Sequence, residues 1–299
     1  MKRMLFIYNP QAGQGRVTAN LSYIIDAFTY QGYLPAVYPT RGTGDATRVV
    51  EGIGKHYRRI VCCGGDGTLH EVVTALMDMD DPPLLGYIPA GTTNDFAKNL
   101  HLPRDMALAA NVAVTGPSMI CDMGRFNGAP FVYVAAFGAF TDVSYDTPQR
   151  FKNMFGHLAY VLEGIGRLGS IKSSHMTVTW DDGEVEGDFI FGMVSNTRSV
   201  GGFQGWPARD VKLDDGKFEV VLVHQPKNPA ELNAILTAVI TQNTTGNGPV
   251  VGFHASQVTF TCDQAVPWTL DGEFGGVHQT ALVENIHQAL PLVYRPESR

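Results

Sequence analysis

Two short stretches place carboxylates where anions bind. In Arg59–Met77, RIVCCGGDGTLHEVVTALM, the apolar Ile60–Cys63 reads as a buried strand and Gly64-Gly65-Asp66-Gly67 as a tight loop. Thr68 is placed to cap a helix with Leu69, Val72, Val73 and Leu76 on one face. Bare glycine backbone, amides at a helix start and the helix dipole together suit a phosphate. Asp66 would repel that phosphate unless a cation lay between them, which points to a magnesium-bound polyphosphate. The second stretch, Pro89–Leu100, PAGTTNDFAKNL, follows the apolar run Leu84–Ile88 and sets Asp95 in a first helical turn. Each stretch also has a plain reading. GGDG alone is a common strand-to-helix turn, and Thr93 with Asp95 is a helix cap whose acid complements the dipole.

The elements that position these loops repeat one pattern. Met4–Tyr8 is an apolar strand, followed by the loop Asn9-Pro10-Gln11-Ala12-Gly13-Gln14-Gly15 and a helix over Val17–Tyr30. This loop is neither a Gly-Lys-Ser/Thr phosphate loop nor a GxGxxG turn. Leu34–Tyr38 is a second strand, closed by Pro39-Thr40, and the polar Arg41–Asp45 leads into the next helix. Strand, loop and helix alternate to about Gly124, which predicts a parallel α/β sheet with its loops at the carboxyl ends of the strands.

Beyond Arg125 the pattern changes. Phe131–Phe137, Met176–Trp180, Glu186–Ser195, Phe218–His224 and Val258–Cys262 read as strands, with Asp181–Glu184 a hairpin turn. Glu231–Ile240 reads as a helix, and Pro148–Ser170 as a long one. Its Phe151, Phe155, Leu158, Leu162 and Ile165 stripe reads as core, or else admits an acyl chain beside Arg150, Lys152 and Arg167. The expectation is an α/β domain over 1–124, joined by a tail over 289–299, and a mainly antiparallel β-rich domain over 125–288.

The net charge of −7 argues against general nucleic-acid binding. Cys62, Cys63, Cys121 and Cys262 form no CxxC pair and read as reduced core residues of a cytosolic protein. The basic start MKRMLFIYNP has too short an apolar run for a signal peptide, and no stretch reaches the ~18 apolar residues of a membrane span.

With GGDGT and PAGTTNDFAKNL in place, the chain resembles the diacylglycerol kinase catalytic-domain family, soluble bacterial lipid kinases related to sphingosine kinases and NAD kinases. The resemblance runs from about Ile7 to Tyr294. It includes Asn9-Pro10 with Gly13, Thr40, Gly44-Asp45-Ala46, Gly156–Tyr160, Asn196 with Gly201-Gly202, Pro207-Ala208, Asp215-Gly216 and Asp271-Gly272-Glu273.

It implies an α/β nucleotide domain, a β-sandwich-like second domain and an active site in the cleft, where the γ-phosphate of ATP passes to a lipid hydroxyl. By match, ATP would be contacted by Asn9, Pro10, Gln11, Ala12 and Gly13, by Thr40, by Gly64, Gly65, Asp66, Gly67, Thr68, Leu69 and His70, and by Thr92. Asp66 and Asp95 would organise catalytic Mg2+, and Glu273 would be the general base. A structural Mg2+ would be held by Asp215 with the carbonyls of Lys212 and Lys217. The chain departs from the family pattern at His70, where Asn is usual, at Phe203, where a third Gly is common, and at Glu219, where Asp is usual. Read on their own, Asp271–Glu273 is a hairpin turn with an exposed acid, and Asp215-Gly216 is a turn before a strand.

The resemblance further implies a peripheral enzyme at the cytoplasmic face of the inner membrane, in transient contact with its lipid, and it allows a homodimer. Two other readings stand beside it. One is a kinase for a soluble acceptor, as in NAD kinases, which share GGDGT. The other is a nucleotide- or lipid-binding protein without catalysis.

Overall fold

A computed structural model describes residues 1–138, 172–197, 199–200, 203–204, 211–241 and 248–296. The expected long helix over Pro148–Ser170 lies outside them, as do Gly156–Tyr160, Gly201-Gly202 and Pro207-Ala208. The chain forms two units, Met1–Met123 with Gln288–Arg299, and Gly124–His287.

The first unit is the expected α/β domain. Its strands are β1 (Lys2–Tyr8), β2 (Tyr33–Pro39), β3 (Arg59–Gly64) and β4 (Leu84–Pro89), parallel in the order β4-β3-β1-β2. Its helices are α1 (Arg16–Tyr30), α2 (Asp45–Ile53), α3 (Asp66–Leu76), α4 (Asp95–Asn99) and α5 (Met106–Thr115). β1, β3 and β4 are apolar without alternation because both faces are covered, whereas β2, at the sheet edge, leaves Leu34 and Val37 exposed. Met4, Phe6, Tyr8, Val61 and Cys63 share one core with Val17, Ile24 and Phe28 of α1 and Ala109, Ala110 and Ala113 of α5. Leu5, Ile7, Ile60, Cys62 and Tyr87, one residue out of phase, are buried on the other face.

Two expected helix caps are corrected. Gly65, not Thr68, is the cap residue of α3, so Thr68 lies inside the first turn. The carboxylate of Glu71, three residues after Thr68, does not turn back on its own helix start. It accepts the Gly44 N–H (2.7 Å) and the Ala46 N–H (3.1 Å) at the start of α2. Similarly Asn94, not Thr93, precedes α4, in a left-handed conformation with φ 49° and ψ 53°.

The second unit is antiparallel. It comprises the end of β5 (Ser118–Phe126), β6 (Ala129–Phe131), β7 (Val134–Gly138), β8 (Ser174–Trp180), β9 (Gly183–Ser195), β10 (Ser199–Val200) and β11 (Phe203–Gln204). It continues with β12 (Phe218–His224), α6 (Pro229–Thr241), β13 (Val250–Ala255), β14 (Gln257–Leu270) and most of β15 (Glu273–Val293). β7 and β8 both lie between β9 and β14, one along each end, because each pairs with both long strands at different residues. Trp268 centres the core, with the rings of Phe126, Phe137 and Phe260 at 4.8–4.9 Å.

The single strand expected over Phe131–Phe137 is two strands, broken at Val132-Tyr133. The N–H groups there leave the ladder and donate to the Asp271 carboxylate. All four cysteines are free and buried. Among the described residues, no helix is long and apolar enough to cross a membrane.

Candidate active site

In the first unit the loops after β1, β3 and β4 meet at the carboxyl ends of adjacent strands. The Asn9 N–H donates to Cys63 O (2.9 Å), the Ala90 N–H to Gly64 O (2.7 Å) and the Thr40 N–H to Tyr8 O (2.9 Å). These loops touch through backbone. A Cβ on Gly91 would stand 2.6 Å from the Gly65 Cα, so only glycines allow this approach. Gly13, at φ 61°, sits where a Cβ would meet Ala90 O at 2.7 Å.

Asn9, Pro10, Ala12 and Gly13 line the first loop half-buried, with Gln11 exposed and its N–H on Asn9 Oδ1 (2.9 Å). Gly64 ends β3, and Asp66, Gly67, Thr68, Leu69 and His70 form the start of α3, which no side chain caps. Leu69 is buried, so its side chain belongs to the core and only its backbone is at the loop. Thr92 is exposed after β4.

Tyr87 lies between the loops that carry Asp66 and Asp95. The Tyr87 phenol is buried and its pKa is pushed well above the ordinary value, first by burial and then by the charges of Asp66, Cys62, Cys63 and Asp95. Asp95 is also buried and holds Lys98 Nζ at 2.7 Å. The second loop is tied beside them. Asn94 Oδ1 accepts the Gly91 N–H and its Nδ2 donates to Gly91 O, both at 2.8 Å.

Sequence reasoning missed Tyr87, Asn94 and Glu71. Tyr87 looked like one more residue of an apolar strand, and its lone hydroxyl was the available signal. For Asn94 the signal was an Asn before a helix, where the left-handed conformation is tolerated.

Asp45, after β2, is also buried. Its carboxyl is held below the ordinary range by the Arg41 N–H and the Arg48 guanidinium, against burial, with the Tyr38 hydroxyl helping.

In the second unit Glu273 is exposed at the first position of β15. It follows a two-residue turn, Asp271 (φ 51°) and Gly272 (φ 91°), between the paired Leu270 and Glu273. Positive φ at both positions is the type I′ hairpin pattern that Asp-Gly favours. Asp271 is buried and accepts the N–H groups of Val132 (2.7 Å), Tyr133 (2.9 Å) and Val134 (3.2 Å). Asp271, quoted in the sequence pattern but given no role there, is a fourth such residue and anchors the turn that carries Glu273. Lys212, Asp215 and Lys217 are exposed, and Asp215 Oδ1 accepts the Lys217 N–H at 3.1 Å.

A magnesium ion needs hard oxygen donors. Asp66 with Asp95, and Asp215 with neighbouring backbone carbonyls, supply oxygen only and fit that requirement. Among the described residues, no three His, Cys, Asp or Glu side chains converge as a softer metal would want.

The family model of the diacylglycerol kinase catalytic domain matches residues 3–126, and that of the YegS C-terminal NAD kinase beta sandwich-like domain matches residues 136–294. The chain is 34% identical over 296 residues to a diacylglycerol kinase of Bacillus subtilis, covering 97% of each. It is 34% identical over 276 residues to one of Staphylococcus aureus, covering 92% of this chain and 87% of that protein. A crystal structure of a diacylglycerol kinase from Bacillus anthracis shares the fold, with a TM-score of 0.78, 23% identity and coverage of 99% and 97%.

Proposed function

Because the chain belongs to the diacylglycerol kinase catalytic-domain family of phosphotransferases, we propose that it transfers the γ-phosphate of ATP, with Mg2+, to the hydroxyl of diacylglycerol or a closely related lipid. The observation that carries this reading is the meeting of three glycine loops at adjacent strand ends, with Asp66 and Asp95 beside them. The acceptor class comes from the relatives named diacylglycerol kinase.

Phosphoryl transfer asks a protein to position two partners and offset spreading charge. In this reading the backbone of Asn9–Gly13, Gly64–His70 and Thr92, with Thr40, holds the nucleotide phosphates. Asp66 and Asp95 would hold catalytic Mg2+, which when bound supplies positive charge against the phosphoryl oxygens. Asp215 with the carbonyls of Lys212 and Lys217 would hold a second, structural Mg2+. Glu273 takes the proton from the acceptor hydroxyl as its oxygen attacks, and its exposed position leaves the carboxylate accessible to a substrate. The lipid is met transiently, by a peripheral enzyme at the cytoplasmic membrane face.

The test offers labelled ATP and magnesium with mixed micelles of diacylglycerol, phosphatidylglycerol, sphingosine and undecaprenol, and soluble NAD beside them. Label on diacylglycerol that falls by about 10²- to 10⁴-fold with Glu273→Gln is the expected result. Label on NAD alone would move the chain to soluble acceptors, and full turnover by Glu273→Gln would remove the base.

A further inference from the structure

Two carboxylates on separate loops hold one cation only if something fixes the distance between the loops. The backbone contact of Gly65 with Gly91 sets how near they come but not how they are registered. That register is carried by side chains. The Tyr87 hydroxyl rises from β4 and lies 3.2 Å from Gly64 O, at the end of β3, and 3.4 Å from Asn94 Oδ1, one residue before Asp95. Asn94 in turn closes on both the N–H and the carbonyl of Gly91. One buried hydroxyl therefore touches the strand end two residues before Asp66 and the residue beside Asp95.

We infer that the Tyr87 hydroxyl and the Asn94 amide form a buried latch that holds Asp66 and Asp95 in register for one divalent cation. Tyr87 and Asn94 are positioning residues. Neither needs to touch the nucleotide. A tyrosine hydroxyl is an O–H donor with acceptors on both loops within reach. A phenylalanine would fill the same space and leave both loops intact, but the tie between them would be gone. Groups that orient metal ligands from behind weaken metal binding when removed, although the ligands themselves survive.

The inference rests on the magnesium-dependent kinase reading, so its test is read without any lipid. Binding of Mn2+ to the full chain in the presence of ATP is followed by the electron paramagnetic resonance of free Mn2+. Tyr87→Phe should weaken Mn2+ binding by about tenfold, the lower end of the ~10- to 100-fold range for such groups. Asn94→Gly, which keeps the left-handed backbone and removes the amide, should move it the same way. In the kinase assay the Mg2+ concentration for half-maximal rate should rise for Tyr87→Phe, with the KM for ATP at saturating metal nearly unchanged. A merely structural hydroxyl would lower Tm and leave metal binding alone. Unchanged Mn2+ binding in a folded Tyr87→Phe protein overturns the latch, as does wild-type protein that takes up no Mn2+ with ATP. Weakened Mn2+ binding with no lipid product from wild type would keep the latch and remove the lipid-kinase reading instead.

Discussion

The two units build their candidate site residues in opposite ways. In the α/β unit the candidate residues Asp66 and Asp95 follow the strand ends, and loops meet glycine to glycine, as Gly65 and Gly91 do. In the β-rich unit one exposed carboxylate, Glu273, depends on its buried neighbour Asp271. That neighbour reaches a segment 137 to 139 residues earlier in the chain. The first arrangement is short in sequence and limited by steric room. The second is long in sequence and limited by charge and hydrogen bonding. The difference predicts different kinds of failure when each is disturbed.

The largest effect should come from Asp271→Ala. It strands three buried N–H groups and should destabilise the β-rich unit by about 3–4 kcal/mol. Urea unfolding reads this, and turnover should fall with the KM for ATP little changed. Gly91→Ala should cost less, about 1–3 kcal/mol, by forcing apart two loops in near contact. Its signature should be a raised KM for ATP, because it disturbs the nucleotide side of the reaction. If Gly91→Ala instead left ATP binding intact and lowered only turnover, the division of labour drawn above would be wrong.

The smallest effect is a pH dependence. The folded pKa of Asp45 lies below its unfolded value, so its contribution is present above the unfolded pKa and lost as pH falls through the folded one. The Tm gap between wild type and Asp45→Asn should therefore be widest near neutrality and close below about pH 4. A gap that persisted in acid would assign the effect to packing.

The same contrast explains what the sequence made legible. The alternation of strand, loop and helix, and the loops that carry Asp66 and Asp95, are local patterns, and the fold follows them. Helix starts were misplaced by one to three residues at Thr68 and Thr93, because glycine and left-handed Asn can open a helix without a side-chain cap. Thr68 and Glu71 have the spacing of a reciprocal cap, yet Glu71 serves a neighbouring helix, which a local pattern cannot reveal. The break at Val132-Tyr133 was illegible for the same reason, since its cause is a carboxylate far along the chain. Tyr87 was hidden differently. Its ring satisfies the strand pattern, and only its hydroxyl does anything else.

β15 begins with Glu273 in the β-rich unit and ends in the α/β unit, where Leu292 pairs with Leu85 of β4. At the crossing Gln288 takes φ 52°, and its N–H donates to Asp122 Oδ1 at 2.7 Å. The consequence concerns synthesis. A ribosome that has finished Met123 has not yet made the strand that covers the open edge of β4. At ~5–20 residues per second that edge waits roughly ten to thirty seconds for its last partner. The α/β unit therefore cannot complete its sheet ahead of the β-rich unit, and a stalled nascent chain would present an uncovered sheet edge to chaperones.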